Sequence, residues 1–152
     1  MLPIDSNHSI RTSSQNYGKR LVNVFEGAGM GNITVEFADG FLIATTTGTL
    51  SYDEVIAAFV KYAPLVVRHI VVNMGDSTIV DLSGDQVRAL PKVVKKHLVN
   101  RKDDGRTAFV CAQDCNFGMT RMYAISAELT GTPYRYNTFK TVAEALEWLQ
   151  ER

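Results

Sequence analysis

From Ile33 onward the chain alternates cleanly, with Ile33, Val35 and Phe37 on one side and Thr34 and Glu36 on the other. A period of two residues is that of a strand with one face buried. Asp39-Gly40 suits a two-residue hairpin turn, and Phe41–Thr47 runs back as a second strand. The period then becomes helical. Ser51 and Glu54 have the spacing of a capping box, Val55, Ile56, Phe59 and Ala63 supply an apolar face, and Pro64 ends the segment. Ile70–Met74 predicts a third strand.

Ser83 and Gln86 form a second capping box, opening a helix that runs to about Val99, in which Pro91 is expected to produce a kink or a restart. Asp104-Gly105 precedes a fourth strand, Thr107–Cys111. Asn116 is expected to cap a third helix that Gly131 and Pro133 close. Tyr134–Asn137 reads as a short last strand, its two tyrosines straddling the sheet around Arg135. Thr141 with Glu144 caps a final helix whose buried stripe is Val142, Ala145, Leu146 and Leu149. The pattern predicts an α/β fold with a mixed four- to five-stranded sheet, an antiparallel hairpin plus a parallel βαβ unit, and about four helices. Residues 1–31 are polar at first and lack periodicity, which predicts a flexible N-terminal tail; Leu21–Phe25 within it is a candidate edge strand. Residues 32–152 form the domain.

Bulk properties narrow the chemistry. A chain of 152 residues, 45% hydrophobic, is long enough for one core. Sixteen basic and sixteen acidic residues cancel, so nucleic acid is not the expected partner. Cys111 and Cys115 lie four apart with His8, His69 and His97 scattered, which makes no metal signature. Gly27-Ala28-Gly29-Met30-Gly31 lacks the spacing of a dinucleotide fingerprint, so no cofactor is expected. No apolar run has membrane-spanning length and Met1–Gln15 is not a secretory signal, so a cytoplasmic protein without a membrane partner is expected. No Ser-His-Asp set, Walker loop or spaced carboxylate pair is present, which disfavours catalysis.

Several short motifs, taken in order, resemble the STAS domain family. They are Thr47-Gly48-Thr49-Leu50 at a strand end, Arg68-His69-Ile70-Val71-Val72-Asn73, and Asp81-x-Ser83-Gly84. Phe117-Gly118-Met119-Thr120-Arg121-Met122-Tyr123, Phe139 and Glu144-Ala145-Leu146-Glu147-Trp148-Leu149 are similar to the single-domain SpoIIAA-like branch. The likeness covers roughly Ile33 to Gln150. It implies a module of the kind found in bacterial anti-sigma-factor antagonists, where an Asp-Ser-Ser-Gly motif carries a phosphorylated second serine that controls partner binding. Asp81, Ser83 and Gly84 match that motif; Leu82 replaces its first serine and Asp85 the apolar residue after the glycine.

The resemblance makes Ser83 a phosphorylation candidate, whereas its position alone makes it a helix cap. A phosphate there would meet Asp81 and Asp85, repelling by about 1 kcal/mol per close pair in water. The helix N-terminus would return about 0.3–1 kcal/mol, so charge does not decide the matter.

Parallel strands at 70–74 and 107–111 would bring Ser77, Thr78, Asp81, Ser83 and Gly84 to the same edge as Asn116, Phe117 and Gly118, with Arg121 one turn further on. The first reading is a non-enzymatic regulatory module that binds a protein partner there. The alternative is a small apolar or anionic ligand held between the two loops. A dimer made through the first thirty residues also stays open. Arg88, Lys92, Lys95, Lys96, His97, Arg101 and Lys102 read as a solvated basic face, and Met119, Met122, Ile125 and Leu129 as core packing.

Overall fold

A computed structural model describes the backbone of residues 10–12, 20–26, 31–38, 41–112 and 114–151, and the side chains of 31–37, 41–112 and 118–151. The strands are β1 (Ile10–Thr12), β2 (Arg20–Glu26), β3 (Gly31–Ala38), β4 (Phe41–Ser51), β5 (His69–Gly75), β6 (Thr78–Val80), β7 (Arg106–Cys111) and β8 (Arg135–Phe139). The helices are α1 (Tyr52–Tyr62), α2 (Gly84–His97), α3 (Asp114–Thr130) and α4 (Val142–Leu149), with a 3-10 turn at Ala63–Leu65.

One sheet runs β1-β2-β3-β4-β5-β7-β8, with β6 paired to β4 outside that path. Strands β1 to β4 are antiparallel neighbours; β4, β5, β7 and β8 are parallel. The expected hairpin and βαβ unit thus form the body of a mixed sheet, and β1 and β2 lengthen its antiparallel side. Strand β2 is paired on both sides, so it is not the edge. The Asp39-Gly40 turn lies outside the described residues, but Ala38 pairs with Phe41 across it, the register of a two-residue loop.

Alternation along the central strands sorts the core into two layers. Leu42, Ala44, Ile70 and Phe109 face α1, α2 and α3. Ile43, Val71, Ala108 and Val110 face α4 alone, through Ala145 and Leu149. Parallel strands covered on both sides need both registers apolar, which is why β5 and β7 are nearly continuous apolar runs.

Both capping boxes are formed. The Glu54 N–H donates to Ser51 Oγ at 3.1 Å and the Ser51 N–H to Glu54 Oε1 at 2.9 Å. Ser83 and Gln86 make the same reciprocal pair, at 3.1 and 2.9 Å. Gly131 closes α3 at φ +84°, with its N–H on the Glu128 carbonyl and that of Thr132 on the Ala127 carbonyl, the Schellman pattern that only a residue tolerant of the left-handed region satisfies cheaply.

Four local expectations need correction. Of the two outcomes expected at Pro91, the restart does not occur: helix α2 is continuous through it, and the buried ring packs inward. Helix α3 begins at Asp114, so Asn116 lies within its first turn and does not cap it. Thr78–Val80, where the sequence pattern predicted no strand, forms β6 because the extended end of β4 offers it Thr49–Ser51 as a partner. Ile125 and Leu129 are 56% and 85% exposed: α3 turns Met119, Thr120, Tyr123 and Ala127 to the sheet, leaving them on the far side.

Candidate functional site

The sheet and its three-helix layer do not close completely. A cavity of about 150 Å³ lies between them. Its floor is Ala44, Ile70, Val72, Met74 and Phe109; α1 contributes Val55 and Phe59, α2 Val87, Leu90 and Val94, and α3 Met119 and Tyr123. Ile79 and Leu82 complete the wall near the carboxyl ends of the strands. Leu82, standing where the antagonist motif has its first serine, is therefore a wall residue. An apolar space of this size is large enough to hold a six-membered hydrocarbon ring without water.

The cavity is chemically polarised. At the carboxyl ends its wall is mostly apolar, with Ile79, Leu82, Leu90 and Met119 half-buried and Thr46 and Thr120 buried and hydrogen-bonded. Toward the amino ends it meets Thr107, Tyr136 and Arg101. Arg101 is only 8% exposed. Its Nε donates to the Arg68 carbonyl at 2.8 Å, and its guanidinium carbon lies 4.2 Å from the centre of the Tyr134 ring. Gly105 permits this seat, since a Cβ there would stand 2.6 Å from Arg101 Nε. Burial lowers the Arg101 pKa, while Tyr136, Tyr134 and Tyr123 draw it the other way. No carboxylate pairs with Arg101 among the described residues. Arg101 Nη2 and Thr107 Oγ1 are buried without a hydrogen-bond partner.

Tyrosines line this end. Tyr123 packs edge-on against Phe109 and Tyr136, at 5.4 and 5.7 Å between ring centres. Burial is the main cause that raises the phenol pKa of Tyr62, Tyr123 and Tyr136, so all three stay protonated hydrogen-bonding groups.

The residues singled out from sequence distribute unevenly. Ser77 is 1% exposed; its hydroxyl donates to the Met74 carbonyl at 2.7 Å and pairs with Thr46 Oγ1 at 2.6 Å, so it serves the interior and not a surface contact. Thr78, Asp81 and Ser83 are exposed and Gly84 half-buried. Asp81 takes a left-handed φ of 61°, a conformation Asp tolerates better than bulky residues do. Asp85 pairs with Arg88 on the surface. The side chains of Asn116 and Phe117 lie outside the described residues. Gly118 is exposed, and among the described residues a Cβ there would meet nothing within 4 Å. Arg121 is exposed and absent from the cavity wall. The cation in that wall is Arg101, which the sequence had grouped with a solvated face. The remaining basic side chains of that run are exposed except His97, which is half-buried.

A second, shallower hollow lies by the amino ends of β5, β7 and β8, bordered by Arg68, Arg106 and Arg135. Two of its arginines are engaged: Arg68 with Asp104 at 2.9 Å, and Arg106 with the Trp148 carbonyl at 2.6 Å.

Among solved structures, the chain is similar to an uncharacterized protein of the DUF3478 family with a SpoIIAA-like fold from Shewanella loihica PV-4, at 19% identity and a TM-score of 0.44. The alignment covers 82% of this chain and 98% of that one. No family model matches the sequence, and no curated protein matches it. The chain itself has a mixed α/β architecture, four antiparallel strands continued by parallel ones with helices on both faces. No described helix is long and apolar enough to cross a membrane.

Proposed function

We propose that this domain acts by binding, without catalysis, and that its ligand is a small molecule with an apolar body held between the sheet and helices α1, α2 and α3. The cavity carries this reading. Close packing is the norm for protein interiors, and a void of about 150 Å³ forfeits dispersion contacts on every side of it. A void of that size is well placed to take a ligand that restores those contacts. Toluene tests the reading: titrated into isotope-labelled protein, it is expected to shift the methyl signals of Met74, Val72 and Val87. Saturating toluene that leaves them unmoved rejects it.

A protein-partner role rests on a different surface. Thr78, Val80, Asp81 and Ser83 are exposed in one short segment, and among the described residues the Ser83 hydroxyl engages only the capping bond. Phosphorylation there would add a charge of about −1.5 to −2 to a surface already bearing Asp81 and Asp85. A partner held by Ser83→Ala and released by Ser83→Asp supports this regulatory reading; equal capture by both variants removes it.

A further inference from the structure

Arg101 and Thr107 sit at one end of a cavity lined mostly by apolar side chains. Arg101 is more than nine-tenths buried as a residue and its Nη2 is shut off from solvent, yet its fixed partners are a carbonyl oxygen and the face of a ring, neither carrying a formal charge. A buried cation is normally matched by an anion, because desolvation otherwise goes uncompensated. Here Nη2 and the Thr107 hydroxyl both lack partners, and they belong to residues of the same wall. One donor could be a packing accident. Two in one wall, one from the loop before β7 and one from β7 itself, the first of them charged, are the kind of donors that a carboxylate accepts. The other end is largely apolar, with Val87, Leu90 and Met119; its two threonines, Thr46 and Thr120, already have partners in Ser77 and in Cys111 and Thr138.

We propose that the cavity takes a small amphipathic carboxylate, its hydrocarbon body toward α2 and α3 and its carboxylate on Arg101 and Thr107. This rests on the small-ligand reading above and adds the ligand's charge and direction. The volume of the space, about 150 Å³, limits the body to about one ring or a chain of similar bulk. The positive charge selects an acid over its neutral isostere, since the isostere leaves the guanidinium unmatched.

Three probes of one shape separate the ideas: benzoate, benzamide and toluene, each titrated into the full chain and followed by amide and methyl shifts. Benzoate is expected to bind at least about tenfold more tightly than benzamide, with shifts at Thr107, Phe109 and Val87. In Thr107→Val that advantage shrinks several-fold, while the melting temperature holds or rises because an unpaired buried hydroxyl is gone. In Arg101→Met benzoate loses its advantage and toluene still binds. Benzoate and benzamide binding alike beside bound toluene overturns the carboxylate and leaves the cavity reading intact. Benzoate shifting only residues around Arg68, Arg106 and Arg135 overturns it too. If none of the three binds, the small-ligand reading itself falls. Thr107→Val keeps the test open should Arg101→Met fail to fold.

Discussion

Filling the cavity should stabilise the protein at the expense of its ligand. Val72 on β5 and Val87 on α2 both line the space. Changing each to Ile adds one methylene beyond an unchanged branched Cβ, so the existing χ1 preference is kept. A void of about 150 Å³, at about 24 cal/mol per Å³, leaves about 3.6 kcal/mol of packing unmade. Burying two methylenes is worth about 0.8 kcal/mol each, or about 1.6 kcal/mol together. For a domain of this length that raises the melting temperature by about 3–6 °C. Urea denaturation gives the direct measure: the midpoint should rise while the slope stays constant, since the area exposed on unfolding barely changes. Toluene binding should weaken in the same variant. If Val72→Ile with Val87→Ile is destabilised by about 1 kcal/mol or more, the added atoms met filled space, and the reasoning from the cavity fails with them.

Other consequences are independent of the cavity. Ser77→Ala removes a buried hydroxyl bonded to the Met74 carbonyl and to Thr46; the expected loss is about 1–3 kcal/mol by urea denaturation, with no effect on surface partners. Gly105→Ala pushes a methyl group into the Arg68 carbonyl and the Arg101 guanidinium; a loss of about 3 kcal/mol is expected from overpacking and the broken charged hydrogen bond. His69 has its pKa lowered by burial and by Arg68 and Arg106, and its Nδ1 accepts the Arg106 N–H at 3.0 Å. The unfolded chain therefore protonates this group first. Stability should fall as pH drops from about 6.5 through the lowered native value and level off below it. His69→Asn, compared with the parent between pH 5 and 7.5, should flatten that part of the curve; an unchanged slope assigns it to other groups.

Local features were legible because their causes are local. The residues from Ser51 to Glu54 and from Ser83 to Gln86 carry everything a capping box needs, and both boxes form as expected. Alternation at Ile33–Phe37 and the apolar runs at 70–74 and 107–111 specify strands through side-chain period alone. Helix α3 shows the boundary of that logic. Its apolar residues occupy more than one stripe, so the period admits Ile125 and Leu129 as readily as Tyr123 and Ala127. The sheet decides which stripe is buried.

The site follows the same division. Sequence alone determined the order of the four helices and of β3, β4, β5, β7 and β8, the mixed sheet and the serine at the start of α2, but neither β1 nor β6. It could not determine Arg101. In the chain that residue follows a lysine-rich stretch and looks solvated; its burial comes from Gly105 allowing close approach, the Arg68 carbonyl accepting its Nε and Tyr134 meeting its face. The cavity likewise has no local signature, because it is the volume left when three helices and a sheet, each locally well specified, are packed together. Charge burial and unfilled volume are properties of residues distant in sequence, so only the tertiary structure decided them.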